Sequence, residues 1–406
     1  MENNIEKSNT NCDVLVGYAW CRSSYAAIRS LSRLGLRVAT VDTTKFGMGQ
    51  CSRYTTAHFV HANPQSEPEQ FIADIANILS QCQAHFYMPG HDEGEVVAKY
   101  RDRLPNNVMI PLTDYETIVR ANDKMCSAQL AMQLNIPTAP IIKWENISEL
   151  KDAIDNTLTS VVIKLRRGCG AKGVYYSKGK EEIIAIVEKI IKQYNLSPKR
   201  YPIVQKRVTG EGWGVSCLYW QGERIASFTH RRIREKTITG GTSTLRESAS
   251  NPEMESYAHK MLDYLKWHGL AMVEFKWDPK TEQAWFIEIN PRLWGSIALP
   301  IACGVDFPAM TYFAATNRLE KARKMVKDYK DSIVARWYLG DLILSVSLLA
   351  KMQPLKAAKL LMPGKEDIFD DICNNDIRAT VSEFVSYFIR FLKYRSTNPV
   401  DKGELG

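Results

Sequence analysis

Residues Val161–Ser177 read VVIKLRRGCGAKGVYYS, and the element behind their glycines decides the fold. Gly168, Gly170 and Gly173 satisfy G-x-G-x-x-G after a strand-like run that ends in Lys164. A dinucleotide fingerprint needs a helix directly after the glycines, because the pyrophosphate sits on that helix's N-terminus. Here the glycines run into VYYS, a strand-like sequence. A protein kinase places its lysine after the glycine loop and carries H-R-D and D-F-G further on. In this chain the lysine comes first and neither motif occurs. G-x-x-x-x-G-K-[ST] is absent, which excludes a P-loop. What remains is strand, glycine loop, strand: a flap whose backbone N–H groups can fold over phosphates, with Lys164 aimed at the same anion. Arg166, Arg167 and Lys172 add positive charge. A glycine-rich hairpin with solvated basic residues fits the loop equally well.

The carboxylates downstream favour the phosphate reading. Phosphate transfer needs a divalent cation, and Mg²⁺ takes hard oxygen ligands. In WFIEINPR, Glu288 and Asn290 are two apart on a strand and share a face, with Ile287 and Ile289 on the other. Glu274 lies in MVEFKW, and a hairpin turning over Asp278 to Glu282 sets it opposite or diagonal to Glu288. Two carboxylates and an amide on one sheet face form a metal cradle. A solvated polar face shows the same alternation.

Outward from this centre, the chain reads as several domains. Its 406 residues exceed what one core holds. Toward the N-terminus, CDVLVG, LRVATVD and AHFYMPG are short apolar strands separated by helical spacing, which predicts a parallel sheet with helices on its faces. Ligand groups are then expected at the carboxyl ends of its strands: Tyr18, Asp42, His91, Asp92 and Glu93. Asn122 and Asp123 open a helix, Ser148 another, and a long helix is expected from Pro252 to His268. GWGVSCLYW and ERIASFTHRR pair across Gln221-Gly222.

Composition narrows the classes. The nine cysteines are scattered singly, without C-x-x-C, which argues against a disulfide framework or zinc site. A net charge of +8 suits an anionic substrate or a membrane surface. The basic run His230 to Lys236 lacks the interleaved aromatics of a nucleic-acid face, so no nucleic-acid partner is expected. MENNIEKSNTNCD has no apolar signal-peptide core, and cytoplasmic location is the expectation.

Together these residues resemble the ATP-grasp superfamily, in which two α+β subdomains hold ATP between them. The resemblance runs from about Pro111 to Asn317. It implies an N-terminal parallel-sheet α/β domain (1–114), an ATP-grasp domain (115–320, with a lid at about 140–200 and a catalytic subdomain at about 201–320) and a helical C-terminal extension (321–406). By likeness, Lys124 and Lys164 are the phosphate-binding lysines, and Gly168, Gly170, Lys172 and Gly173 belong to the flap. Gln205, Lys206 and Val208 occupy the adenine-contacting hinge, and Glu211 the ribose place, although glycine stands where the acid is expected. Glu274, Glu288 and Asn290 match the magnesium ligands, with Mn²⁺ as the alternative ion. Arg292 matches the Arg of the family's N-x-R ending. The segment around Arg234 resembles the Arg-Arg and glycine turn that frames the acceptor, which puts His230, Arg232, Gly240, Gly241 and Thr242 on the substrate, with Asp92 and Glu93 facing them.

The chemistry so implied is ADP-forming carbon–nitrogen ligation: a small-molecule carboxylate is activated as an acyl phosphate and joined to an amine, with Arg292, Lys164 and Arg234 supporting the reaction. The wording EINPRLWGSIALPIACG resembles ATP-grasp proteins similar to the carbamoyl-phosphate synthase large chain, some of which serve surface polysaccharides or peptide-like metabolites. The rivals are a carboxylase, a kinase, and a silent nucleotide-binding scaffold. Near the C-terminus, VSEFVSYFIRFLKYR sets Val381, Phe384, Val385, Phe388, Phe391 and Leu392 at near-helical spacing beside basic residues. Such a stripe is either core or a surface for a membrane or a pathway partner.

Overall fold

The computed structural model describes residues 11–154, 160–168, 173–237, 240–364 and 367–394. Cys169, Gly170, Lys172 and Arg395, all named in the sequence motifs, therefore lie outside the described residues.

The N-terminal layer opens with β1 (Val14–Val16), α1 (Arg22–Arg33), β2 (Val38–Asp42), β3 (Thr55–Val60), α2 (Pro68–Cys82), β4 (Phe86–Met88) and α3 (Glu93–Lys99). β1, β2 and β4 are buried at every residue, the pattern of strands covered on both faces. They pair in parallel in the order β3-β2-β1-β4. β3 was not expected from the sequence. Its residues alternate half-buried and exposed, as suits an edge strand, and its Thr-Thr-Ala-His start is not apolar.

Two short helices lead into the next unit, α4 (Tyr115–Asn122) and α5 (Lys124–Gln133), the second capped by Asp123, whose side chain accepts from the N–H groups of Met125 and Cys126. Then come β5 (Ile141–Ile142), α6 (Ile147–Ala153), β6 (Val161–Lys164), β7 (Val174–Ser177), α7 (Lys180–Tyr194) and β8 (Ile203–Lys206). The strands form an antiparallel sheet, β5-β8-β6-β7, whose core is closed by Leu150 of α6 and Ile183, Val187 and Ile190 of α7. The cap of α6 is Asn146, so the helix starts just before the expected Ser148.

The largest sheet comes next: β9 (Glu211–Trp220), β10 (Glu223–Thr237), β11 (Gly240–Ser248), α8 (Pro252–Tyr264), β12 (Gly269–Asp278), β13 (Gln283–Asn290), α9 (Ala298–Ala302), α10 (Phe307–Ala315) and α11 (Leu319–Lys324). The α8 helix ends before His268 because Lys266 takes a left-handed φ of 45°, which turns the chain into β12. The last stretch is β14 (Val334–Arg336), α12 (Tyr338–Ala350), α13 (Pro354–Leu361), β15 (Ile368–Phe369) and α14 (Ile377–Tyr394). Helices dominate this segment, as expected, and its two short strands extend the central sheet, whose seven-stranded order is β13-β12-β9-β10-β11-β14-β15.

One core lies between this sheet, α1 and α10, and joins the N-terminal layer to it; a second lies on the sheet's other face under α8. Buried carboxylates fasten the C-terminal stretch. Asp370 pairs with Arg22 and Arg246, and Asp376 accepts from the Tyr25 hydroxyl (3.1 Å), the Ser52 hydroxyl (2.6 Å) and the Arg53 N–H (3.1 Å). No helix among the described residues is long and apolar enough to cross a membrane.

Candidate active site

A cleft of about 210 Å³ opens between the β5–β8 sheet and the central sheet. Its first wall comes from the smaller sheet. Val162 and Lys164 of β6, Val174 and Tyr176 of β7, and Gln205 and Lys206 of β8 line it, together with Val208. The period of two explains the first two pairs, since alternate residues of a strand share a face. Gln205 is buried and its amide nitrogen donates to the Ala139 carbonyl (3.3 Å), which ties β8 to the segment just before β5.

The second wall is the hairpin of β12 and β13. Glu274 and Glu288 are direct partners across it. The register then slips, so that Phe275 faces Phe286 and Ile287 has no partner. This bulge corrects the simple alternation expected from the sequence: Ile287 lines the cleft with Glu288, whereas Ile289 enters the core. Asn290 completes the group, donating from Nδ2 to Glu274 Oε1 (3.0 Å) and accepting at Oδ1 from Arg292 Nη2 (2.9 Å). Arg292 Nε reaches Asp92 Oδ1 at 3.1 Å, which links the hairpin to the carboxyl end of β4.

Each glutamate carries its own cation. Arg232 of β10 sits 2.5 Å from Glu274, and Lys124, in the first turn of α5, is 3.2 Å from Glu288. Lys124 Nζ also donates to the Gly168 carbonyl (2.6 Å), so it holds the mouth of the glycine loop against the carboxylate. Burial pushes the Glu274 carboxyl up, with Arg232 opposing and Glu288 adding to the rise. Burial acts in the same direction on Glu288, but Lys124 and Lys164 outweigh it and hold that carboxyl below its ordinary value. The base of Lys164 is altered as well: burial lowers it to about 8, with Glu288 resisting and Lys124 assisting.

Glycines make room for this arrangement. A Cβ on Gly212 would stand 2.9 Å from Arg232 Cδ, and one on Gly214 would stand 2.5 Å from a His230 ring carbon. The glycine found where an acid was expected leaves the space through which Arg232 reaches Glu274.

Most of the residues picked from the sequence meet here. Lys124, Lys164, Gly168, Gln205, Lys206, Val208, Arg232, Gly241, Thr242, Glu274, Glu288, Asn290 and Arg292 all line the cleft. Asp92 and Glu95 line a smaller cavity that shares Lys124, Gly168, Glu288, Asn290 and Arg292 with it. Several others stand elsewhere. Arg234 turns away to Asp341 of α12 (2.8 Å) and the Thr244 hydroxyl (3.2 Å). The register shifts between Arg232, Arg234 and Glu235 along β10 account for that turn. His230 is fully buried, with Nε2 3.2 Å from the Ser296 hydroxyl, and burial drives its pKa well below the ordinary value. Glu211 is exposed at the outer start of β9, pairs with Arg231 (3.4 Å) and does not line the cleft. Glu93 is buried under the β4 turn, accepts from the Gly90 N–H (2.7 Å), and is raised by burial to about 8. Gly173 is likewise not among the lining residues.

Arg166 and Arg167 are also committed elsewhere, to Asp123 (2.8 Å) and Glu95 respectively. The sequence reading missed Tyr176, Lys276, Glu235 and Ser296, all of which line the cleft. Lys276 was recoverable, since it lies two residues beyond Glu274 on the same face.

The donor set suits a divalent cation. Glu274, Glu288 and Asn290 present oxygen atoms of the hard kind that Mg²⁺ accepts, and the cations now beside them are the positive charge that such a site attracts.

Residues 199–338 match the family model described as ATP-grasp in the biosynthetic pathway with Ter operon. That span includes Gln205, Glu274, Glu288, Asn290 and Arg292, and ends short of Lys124 and Lys164 on the N-terminal side. No curated protein sequence matches the chain. Among solved structures, the chain is similar to a biotin carboxylase–β,γ-ATP complex from Campylobacter jejuni (TM-score 0.61, 15% identity, 76% of this chain and 72% of that one). It is similar also to the biotin carboxylase domain of the Hydrogenobacter thermophilus 2-oxoglutarate carboxylase in complex with MgADP, ADP and bicarbonate (0.61, 17%, 78% and 72%). A third likeness is to Rhizobium etli pyruvate carboxylase (0.57, 14%, 74% of this chain and 28% of that one).

Proposed function

We propose that this chain, an ATP-grasp superfamily member, is an ATP- and Mg²⁺-dependent ligase that activates a carboxylate as an acyl phosphate and passes the acyl group to an amine. The observation that carries the reading is the meeting of two lysines, a hinge strand, two carboxylates and Arg292 around one cleft.

In this reading the adenine lies against Val162, Val174, Gln205 and Val208, and the phosphates run toward Lys164 and Lys124. A metal ion held by Glu274, Glu288 and Asn290 supplies charge neutralisation of the phosphates. Nucleotide phosphates replace Glu288 as the partner of Lys124, so the ion pair that exists without ligand is exchanged rather than lost. The acceptor carboxylate occupies the end lined by Arg232, Gly241, Thr242, Ser243 and Ser296, where N–H and hydroxyl groups receive an anion. Its oxygen attacks the γ-phosphorus, ADP departs, and an amine then displaces phosphate from the acyl carbon. Arg292 stabilises the oxyanion, and Asp92 with Asn290 fixes its guanidinium. Most of the catalytic advantage comes from position and exclusion of water.

The solved structures favour one second reading. They include biotin carboxylases, and one holds bicarbonate. A carboxylase uses the same activation on bicarbonate and differs only in the nucleophile of the second step. The test is ADP formation by purified protein with Mg²⁺ and ATP, screened over carboxylates, each with and without amines, and over bicarbonate. Release that requires both a carboxylate and an amine supports ligation. Release on bicarbonate without amine moves the assignment to carboxylation, and stable transfer of phosphate to a hydroxyl compound overturns both.

A further inference from the structure

The last helix is packed with its apolar side outward. Val381, Val385, Phe388, Ile389 and Leu392 recur at helical spacing along α14 and are all exposed, Phe388 by 62%. The inward side is polar: Ser382, Glu383 and Ser386 are buried, and the Tyr387 ring packs against Trp20 and Trp337. Glu383, 1% exposed, sits near Arg22, Asp370 and Asp371, and burial holds its carboxyl well above the ordinary range. A helix serving only as a cover for the core would roll this stripe inside. Its roll is instead fixed by Asp376 before its first turn and by Arg390, whose guanidinium stacks 4.2 Å over Trp20.

The α12–α13 hairpin repeats the pattern. Val346, Leu349, Met352 and Leu355 are exposed, the last two by 87% and 85%. Charge separates in the same segment. Among the described residues from 338 to 392, every exposed charged side chain is basic: Lys351, Lys356, Lys359 and Arg378. The carboxylates Asp341, Asp370, Asp371, Asp376 and Glu383 are buried, and Asp367 is held by Arg336 at 2.9 Å.

We propose that α14, with the α12–α13 hairpin, docks the protein on an anionic lipid surface, the apolar side chains entering the headgroup boundary and the lysines meeting lipid phosphates. Exposed apolar stripes with only basic residues beside them are the features that interfacial helices use. The inference is independent of the reaction at the cleft.

Flotation of the full chain with vesicles tests it. Vesicles of phosphatidylcholine mixed with phosphatidylglycerol retain the protein at low salt, pure phosphatidylcholine vesicles do not, and raised salt weakens retention. Phe388→Asp and Leu355→Glu, on different helices, each lower retention by about tenfold with an unchanged melting temperature, whereas Met132→Asp on α5 leaves it unchanged. Failure of the full chain to float overturns the proposal, as does retention that neither substitution alters. Sedimentation that shows a dimer dispersed by Phe388→Asp also overturns it, and assigns the stripe to a second copy of the chain.

Discussion

Glu274 and Glu288 stand directly opposite each other on neighbouring antiparallel strands, and each is bonded to a cation from a different part of the fold. Two carboxylates so placed repel each other. The arrangement holds because Arg232 and Lys124 screen them, and under the proposed function these side-chain cations give way to a metal ion and a polyphosphate.

Removing one member of a buried pair leaves the other uncompensated. Glu274→Gln is expected to destabilise the protein by about 3 kcal/mol, because Arg232 loses its main partner at low exposure. Arg232→Met alone costs a similar amount, and the double variant costs much less than the sum. A double-mutant cycle in urea measures this coupling; additive losses would show that the pair is energetically idle.

Lys164 gives a pH signature. Its base is lowered from the ordinary 10.5 to about 8, first by burial and then by Lys124, while Glu288 resists. Burying the charged form therefore costs stability fully below about pH 8, and the cost fades as pH rises from there toward 10.5. Phosphate binding favours the charged form. Nucleotide binding above pH 8 is thus expected to take up a proton, seen by calorimetry in buffers of different ionisation heat, and Lys164→Gln removes the uptake. Equal heats in all buffers for the wild type would refute this.

Arg232 and Arg234 are two residues apart and are predicted to behave oppositely. Arg232→Ala lowers turnover by about 100-fold, the usual scale for losing a group that organises charge in an active site. Arg234→Ala leaves buried Asp341 with Arg336 at 3.3 Å as its remaining cation, so it lowers the melting temperature but changes nucleotide affinity less than about twofold. Affinity and thermal melts on both variants decide the matter.

Gly212 should tolerate no side chain. A Cβ there meets Arg232, so Gly212→Val drives the guanidinium off Glu274 and lowers turnover by about 100-fold while the protein stays folded. Activity near wild type would show that Arg232 can repack.

Much of this was legible before the structure. The hairpin that aligns Glu274 with Glu288 came from alternation and a turn sequence, and Lys164 from its place at the end of a strand. What escaped has physical causes. The bulge at Ile287 changes which face a side chain takes without changing the sequence pattern. Arg234 looked like an acceptor residue because its partner Asp341 lies in α12, far along the chain. The strands β14 and β15 are three and two residues long, too short to carry a period. The stripe on α14 was visible as a pattern, but only its packing shows that the polar side faces inward.

The most direct test of the central claim is calorimetric titration of a non-hydrolysable ATP analogue, with and without Mg²⁺, into the wild type and Glu288→Gln. Magnesium-strengthened binding by the wild type is expected, with loss of that magnesium effect in a variant that remains folded. Binding that magnesium strengthens equally in both proteins, or no binding by the wild type, would contradict it.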